Sequence, residues 1–319
     1  MEKTDVSIFV SSLKKSYKDK EILKDVTFSV PTGTIYALLG SNGAGKTTTI
    51  RILTTQIRPD GGTAHIQGFD VAKEPEKVHR VISLTGQFSA LDESLTGMEN
   101  LLIMGRLHHL SAPEKSAVRL LEYFDLSASS SRRVSSWSGG MKRKLDIAMS
   151  LVGSPSVLFL DEPTTGLDPQ SRLAMWQIVR RLRDGGMTVL LTTQYLEEAE
   201  QLADQIGILH RGRILAQGTP SQLKSLLPQG AGRFIFHDQE DLRCAAFLLG
   251  KWQTSSHPAE CALTVFTDGR ADTLGELFRH LREGHISVRK FSELSPSLED
   301  VFLTMIKEEK SYGNTKAKL

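Results

Sequence analysis

Ile35-Tyr-Ala-Leu-Leu-Gly40-Ser-Asn-Gly-Ala-Gly-Lys-Thr47-Thr-Thr-Ile-Arg-Ile-Leu53 is the stretch on which the fold turns. Its first five residues are a continuous apolar run suited to a central strand, and the residues from Thr48 onward carry a helical pattern. Between them the glycines let successive backbone N–H groups turn inward around a polyphosphate. The helix that follows adds roughly half a positive charge at its N-terminus. In such a loop Lys46 reaches the β and γ phosphates, and Thr47 places its hydroxyl on Mg²⁺. The candidate nucleotide-binding residues are therefore Gly40, Ser41, Asn42, Gly43, Ala44, Gly45, Lys46, Thr47 and Thr48. A glycine-rich turn with a chance lysine is the rival reading. The strand before it and the helix after it supply the context that a P-loop requires and that a chance turn does not.

The second half of such a site is Val157-Leu-Phe-Leu-Asp161-Glu162, an all-apolar strand closing on two adjacent carboxylates. Neighbouring residues at a strand end point in different directions, so the two acids can hold different tasks. Asp161 suits the Mg²⁺ shell. Glu162 is free to orient or deprotonate an attacking water, a contribution of about 10² to 10⁴ in rate.

Working outward, Val26, Phe28 and Val30 alternate with polar neighbours as in a half-buried strand, and further apolar runs lie at Val189 to Leu191 and Ile206 to Leu209. Helical patterns at 139–152, 169–184 and 195–203 separate them. Alternating strands and helices predict an α/β fold with a mixed sheet and ligands at the carboxyl ends of its strands. Residues 96–126 show helical periodicity and little strand signal, so a helical subdomain is expected over about 88–152. Thr219-Pro-Ser-Gln222 has the form of a helix start.

Pro228-Gln-Gly-Ala-Gly232 reads as a linker between domains 1–227 and 233–306. After it the pattern is strand 233–237, helix 240–250, short strands near 252 and at 262–266, helix 272–282 and strand 286–291. That order suits a small α+β, ferredoxin-like split βαβ unit. Ser297-Leu-Glu-Asp300 offers a capping box before the apolar stripe Leu298, Val301, Phe302 and Met305, and residues 307–319 read as a polar, flexible tail.

Composition narrows the function. With 319 residues the chain exceeds the ~100 to 200 of one domain. Thirty-nine Lys plus Arg against 37 Asp plus Glu leave +2, which gives no polyanion footprint and argues against nucleic acid as a partner. Two cysteines, Cys244 and Cys261, are too few for a disulfide framework and suggest a reducing compartment. No apolar run approaches the ~20 residues of a membrane span, and the first residues lack the apolar core of a secretory signal. The histidines are scattered without ligand spacing, so no structural metal is expected.

At this point the chain resembles an ABC ATPase over roughly residues 6–227. Trp137-Ser138-Gly139-Gly140-Met141 is similar to that family's signature loop, usually LSGGQ. Gln87 falls at the Q-loop glutamine, Gly166-Leu-Asp168-Pro169 resembles the D-loop, and Tyr17 sits where an aromatic stacks on adenine. The resemblance implies ATP and Mg²⁺ as cofactors, the metal held through Thr47, Gln87 and Asp161. It also implies a head-to-tail dimer, a homodimer in the simplest case, in which Ser138, Gly139 and Gly140 of one subunit close over ATP on the other. One position departs: Gln194 in Leu190-Leu-Thr-Thr-Gln194-Tyr stands where the family usually carries histidine. Glutamine keeps an N–H donor but cannot become cationic near neutral pH, so donation to the phosphate survives and proton shuttling does not. Glu162 and Gln194 are thus the expected catalytic pair, with Glu162 as the base.

The runs around Gln194, Ser138 and Ser94-Leu-Thr-Gly-Met-Glu-Asn100, with Ser297-Leu-Glu-Asp-Val-Phe-Leu303, most resemble the daunorubicin-resistance type of ATPase. That resemblance implies bacterial drug export through a separate membrane permease of the type-2 class, with this subunit peripheral on the cytoplasmic face of the membrane. The alternatives are a type-2 exporter ATPase for lipid, glycan or ion export and a non-transport ABC ATPase acting on ribosomes or DNA. The latter is disfavoured by one ATPase unit per chain, no long coiled coil and no zinc-binding cysteines. A plain nucleotide-binding regulator is disfavoured by the intact Glu162.

Overall fold

The computed structural model describes residues 6–86, 90–227, 230–294 and 296–306. The chain divides into two compact units, Met1–Thr219 and Pro220–Leu319.

The first unit is built on β1 (Val6–Tyr17), β2 (Lys20–Pro31), β3 (Ile35–Leu39), α1 (Lys46–Leu53), β4 (Gly61–Ile66), β5 (Phe69–Asp70), α2 (Pro75–Val81) and β6 (Ile82–Thr85). There follow α3 (Gly97–Leu107), α4 (Pro113–Tyr123), α5 (Gly139–Ser150), β7 (Val157–Asp161), α6 (Pro169–Asp184), β8 (Thr188–Thr193), α7 (Leu196–Leu202), β9 (Gln205–His210) and β10 (Arg213–Gly218). Among the described residues its strands run in the order β5-β4-β1-β2-β10-β9-β3-β8-β7-β6. The sheet is mixed, as the two kinds of strand pattern imply. β9, β3, β8, β7 and β6 are parallel neighbours, β1 pairs antiparallel with β2 and β4, and the two parts meet where Arg213 of β10 pairs with Asp25 of β2.

Every residue of β3, β7 and β8 is buried. This is why their central residues read as apolar runs, since a parallel sheet covered on both faces favours apolar side chains, and the polar residues they carry, Asp161 and the threonines of β8, lie at strand ends. By contrast β2 buries alternate residues from Val26 through Phe28 to Val30, as expected of a strand wet on one face. Phe28 stacks on the buried Tyr36 ring with centroids 4.9 Å apart, joining the antiparallel and parallel parts in one core. Burying each such side chain contributes about 1.5–3 kcal/mol.

The helical insertion is α3 to α5. Thr96 and Glu99 form a full capping box on α3. A Cβ on Gly97, the next residue, would come within 2.5 Å of the buried Trp137 ring, so the glycine sets how closely α3 approaches the loop before α5. β1, β4, β5, β6 and β10 were not anticipated. β1 carries register shifts and β5 has only two residues, so neither shows clean alternation.

The second unit begins at α8 (Pro220–Lys224), the helix start expected from Thr219-Pro-Ser-Gln222. It continues with β11 (Gly230–Phe236), α9 (Gln239–Leu248), β12 (Thr254–His257), β13 (Ala262–Thr267), α10 (Ala271–Glu283) and β14 (Val288–Leu294), with the strands ordered β12-β13-β11-β14 and every pair antiparallel. The break between units comes after Thr219, earlier than the expected 227. The expected linker 228–232 is corrected as well: Gly230, Ala231 and Gly232 open β11, while Pro228 and Gln229 lie outside the described residues. Those glycines are there for close approach. A Cβ on Gly230 would lie 2.4 Å from Gly269, and one on Gly232 would lie 2.9 Å from the Phe291 ring. Ser297 and Asp300 cap a helix over 298–306, on which Leu298 and Val301 are buried. The tail from 307 onward lies outside the described residues.

Candidate nucleotide-binding and hydrolysis site

Three adjacent strands deliver the chemistry. β3, β8 and β7 are parallel neighbours, with Leu39 opposite Thr193 and Asp161 opposite Thr192. Their carboxyl ends therefore release Gly40, Gln194 and Glu162 at one edge of the sheet. Gly40 N–H donates to the Thr193 carbonyl at 3.1 Å, which pins the start of the glycine loop beside Gln194.

The loop is shaped by its glycines. Gly43 has φ +78° and Gly45 has φ +115°, and Gly45 is the residue immediately before α1. Side chains rarely adopt that backbone. A Cβ on Gly45 would also sit 2.5 Å from Leu23, and one on Gly40 would sit 2.4 Å from the Leu209 carbonyl oxygen. Lys46 opens the helix and is 5% exposed. Its ammonium folds back over the loop, donating to the carbonyls of Gly40 at 2.7 Å and Ser41 at 3.2 Å, and lies 3.4 Å from Glu162 Oε1.

Asp161 is buried at the end of β7. Its Oδ1 accepts from Thr192 Oγ1 at 2.5 Å and stands 3.5 Å from Thr47 Oγ1. A carboxylate oxygen and a hydroxyl oxygen at this separation are a hard-donor pair of the kind Mg²⁺ takes, with the rest of its shell left to phosphate and water. Gln87, the third expected ligand, lies outside the described residues.

Glu162 has φ +50°, a left-handed backbone that costs a non-glycine residue on the order of 1–3 kcal/mol. Its N–H is held by the Thr192 carbonyl at 3.2 Å and hydroxyl at 3.1 Å. One carboxylate oxygen faces Lys46, and the other accepts from Thr165 Oγ1 at 3.3 Å.

Ser138 and Asp168 cap α5 and α6. Ser138 Oγ accepts from Met141 N–H at 3.3 Å, and Gly139 and Gly140 form the first turn of α5. Asp168 accepts from the N–H of Ser171 at 2.9 Å and from its hydroxyl at 2.6 Å, which holds its carboxyl below the usual range. The first turns of the two helices approach closely: a Cβ on Gly140 would come within 2.5 Å of Ser171 Oγ. Tyr17 ends β1 with its ring half exposed, and the Lys15 ammonium lies 5.7 Å from the ring centre.

Sequence reasoning missed three residues that build this site: Thr192, Arg143 and Glu198. Thr192 is a fully buried hydroxyl directly after the apolar run Val189 to Leu191, and that polar residue was the available signal. Glu198 on α7 is 1% exposed and accepts from Thr164 Oγ1 at 2.8 Å and Trp176 Nε1 at 3.2 Å, so it ties α7 to the Asp161–Asp168 loop and to α6. Burial pushes its carboxyl up.

A model of the ABC transporter family matches residues 23–165. The daunorubicin/doxorubicin resistance ATP-binding protein DrrA of Streptomyces peucetius is 45% identical over 311 residues, 94% of this chain and 92% of that protein. The chain belongs to the ABC transporter ATP-binding proteins. Its place is in the daunorubicin/doxorubicin-resistance branch, and the relationship spans both units. The Nod factor export ATP-binding protein I of Paraburkholderia xenovorans strain LB400 is 42% identical over 221 residues, 69% of this chain and 73% of that protein. A solved ATP-binding subunit of an ABC transporter superposes with a TM-score of 0.61 at 33% identity, over 69% of this chain and 92% of that one. This ABC ATPase thus binds and hydrolyses ATP, and the strand-end cluster of Lys46, Thr47, Asp161 and Glu162 is its candidate site. Among the described residues no helix is long and apolar enough to cross a membrane.

Proposed function

We propose that this ABC ATPase works as a closing and reopening pair that drives an exporter of hydrophobic, drug-like compounds through a separate integral membrane permease of the type-2 class. The observation that carries the site is the convergence on one sheet edge of the Lys46 ammonium, the Thr47–Asp161 oxygen pair and Glu162, 3.4 Å from Lys46. Phosphoryl transfer asks a protein for positioning and charge more than for covalent chemistry, so such a convergence is sufficient machinery.

In this reading the backbone N–H groups from Gly40 to Thr48 and the Lys46 ammonium hold the β and γ phosphates, and Tyr17 stacks on the adenine. Thr47 and Asp161, with Gln87, would hold Mg²⁺, which supplies charge neutralisation between the phosphates. Glu162 orients the attacking water and accepts its proton. Gln194, at the carboxyl end of β8, donates an amide N–H toward the γ phosphate. The N–H groups of the Ser138-capped α5 face anion only when a second copy is present, because no phosphate-binding residue of their own chain belongs to that loop. Asp168, fixed by Ser171, lines the same junction. The C-terminal unit has the βαββαβ order of a ferredoxin-like domain and would stabilise or regulate the pair. With a permease bound, the subunit sits at the cytoplasmic membrane face.

The test is the concentration dependence of ATPase activity in the purified chain, followed by co-purification with a co-expressed type-2 membrane permease. Activity rising more steeply than linearly with protein, and a stable complex with a multi-span partner, are expected. Full specific activity at dilutions where the chain is monomeric would sink the paired reading. A Nod-factor-like glycolipid cargo is the second reading, supported by the 42% identity to the Nod factor export relative, and transport assays with amphipathic drugs against lipo-oligosaccharides separate the two.

A further inference from the structure

Arg143 of α5 lies one turn beyond the signature glycines and is 11% exposed, yet its fork serves four acceptors from three separate segments. Nε donates to the Pro163 carbonyl at 3.0 Å and Nη2 to the Asp161 carbonyl at 3.4 Å. Nη1 donates to the Gly86 carbonyl at 2.8 Å and to Asp146 Oδ2 at 3.2 Å. Asp146 in turn accepts from Ala90 N–H at 3.3 Å through its other oxygen. The Arg143–Asp146 pair therefore grips the chain on both sides of residues 87–89 and on both sides of Glu162.

The peptide that joins Asp161 to Glu162 is held at both ends, its carbonyl by Arg143 and its N–H by Thr192. That peptide orients a residue whose left-handed backbone would relax toward an ordinary conformation if released. A simple staple of α5 onto β7 would need one contact. Four contacts through one planar group, two of them flanking the candidate base, specify direction as well as proximity. Lysine cannot reproduce this: its three donors radiate from one nitrogen, whereas the guanidinium presents five in a rigid plane.

We propose that Arg143, braced by Asp146, is a positioning residue for hydrolysis: it aims the Glu162 carboxylate and ties that aim to Gly86 and Ala90. The proposal rests on the reading of Glu162 as the water-orienting group. Arg143 directs its donors to three carbonyls and Asp146, and acts through Glu162. Desolvation pulls the Arg143 pKa down and Asp146 offsets this, consistent with a cation kept in place by its partner.

The test uses the purified full chain and three variants, Arg143→Lys, Glu162→Gln and the double variant, with thermal melting, affinity for a fluorescent ATP analogue and kcat as readouts. Arg143→Lys is expected to keep its melting temperature and nucleotide affinity within about twofold while kcat falls about 10- to 100-fold, the cost of misplacing a catalytic group by an ångström or so. Because the arginine acts through Glu162, the double variant should be no slower than Glu162→Gln alone. Wild-type kcat in Arg143→Lys, or losses that multiply in the double variant, would overturn the proposal. Should Arg143→Lys fail to fold, Asp146→Asn, which keeps the side-chain volume, takes its place in the same comparison. Wild-type turnover in Glu162→Gln alone would instead overturn the base assignment, and so the two failures are distinguishable.

Discussion

Replacing Glu162 by glutamine removes one negative charge and keeps the side chain's size. Three consequences follow. The carboxylate lies 3.4 Å from the Lys46 ammonium, with the two side chains 14% and 5% exposed. At an effective dielectric near 20 that separation corresponds to a gross attraction of about 5 kcal/mol, most of it offset by the desolvation of both groups. Lys46 keeps the Gly40 and Ser41 carbonyls as acceptors and Glu162 is partly exposed, so the variant should lose about 1–2 kcal/mol of stability, below the ~3–5 kcal/mol of a fully buried pair left without a partner. Nucleotide affinity should hold or rise, because a phosphate then meets a lysine freed of its counter-charge. The chemical step should suffer most. Loss of a positioned general base slows turnover by about 10² to 10⁴, equivalent to about 3–5 kcal/mol in the barrier. The assay is steady-state phosphate release beside a binding titration and a thermal melt on the same preparation. If kcat stays within threefold of wild type while binding and melting are intact, Glu162 is not the base and the site must be reassigned.

Glu198→Gln tests the buried carboxyl on α7. Burial raises the folded-state pKa of Glu198, so the native protein keeps that proton to a higher pH than the unfolded chain does. The stability this group contributes is present below the unfolded pKa and is lost as pH rises through the raised folded value. Glutamine cannot ionise, so the melting-temperature difference, wild type minus variant, should shrink steadily as pH is raised from about 4.5; parallel curves would count against the assignment. Gly140→Ala places a methyl 2.5 Å from Ser171 Oγ, which holds Asp168, and should cost about 1–3 kcal/mol of stability by overpacking, with a loss of ATPase activity larger than the loss of nucleotide affinity. Phe234→Ala, in the second unit, removes one ring from a trio with Phe278 and Phe291, 5.4 and 5.0 Å away. It should destabilise that unit by about 3–5 kcal/mol, read as an earlier calorimetric transition.

Much of the site was legible because its chemistry is local in the chain. A glycine loop must lie between the strand and helix that position it, and Asp161 and Glu162 are consecutive. Lys46, Thr47, Asp161 and Glu162 could be named for that reason, and the structure brings them within a few ångströms of one another. The C-terminal strands and helices were legible from periodicity, although Gly230 and Gly232 were misread as linker. A glycine demanded by a near neighbour looks the same in one dimension as a glycine demanded by a bend. β1 and β5 were illegible for another reason: register shifts and a two-residue length leave no repeating pattern.

From residues alone came the reaction class, because phosphate binding, metal donation and water activation each require a particular side chain at a particular spacing. What only the folded chain decided was orientation. Nothing in Met141-Lys-Arg-Lys-Leu-Asp146 announces that one arginine will face carbonyls 57 residues upstream and 18 and 20 residues downstream, or that Thr192 will hold both Asp161 and the Glu162 N–H. Hydrogen-bond partners that distant in sequence are chosen by how the sheet and α5 pack, and packing is a property of all the residues together.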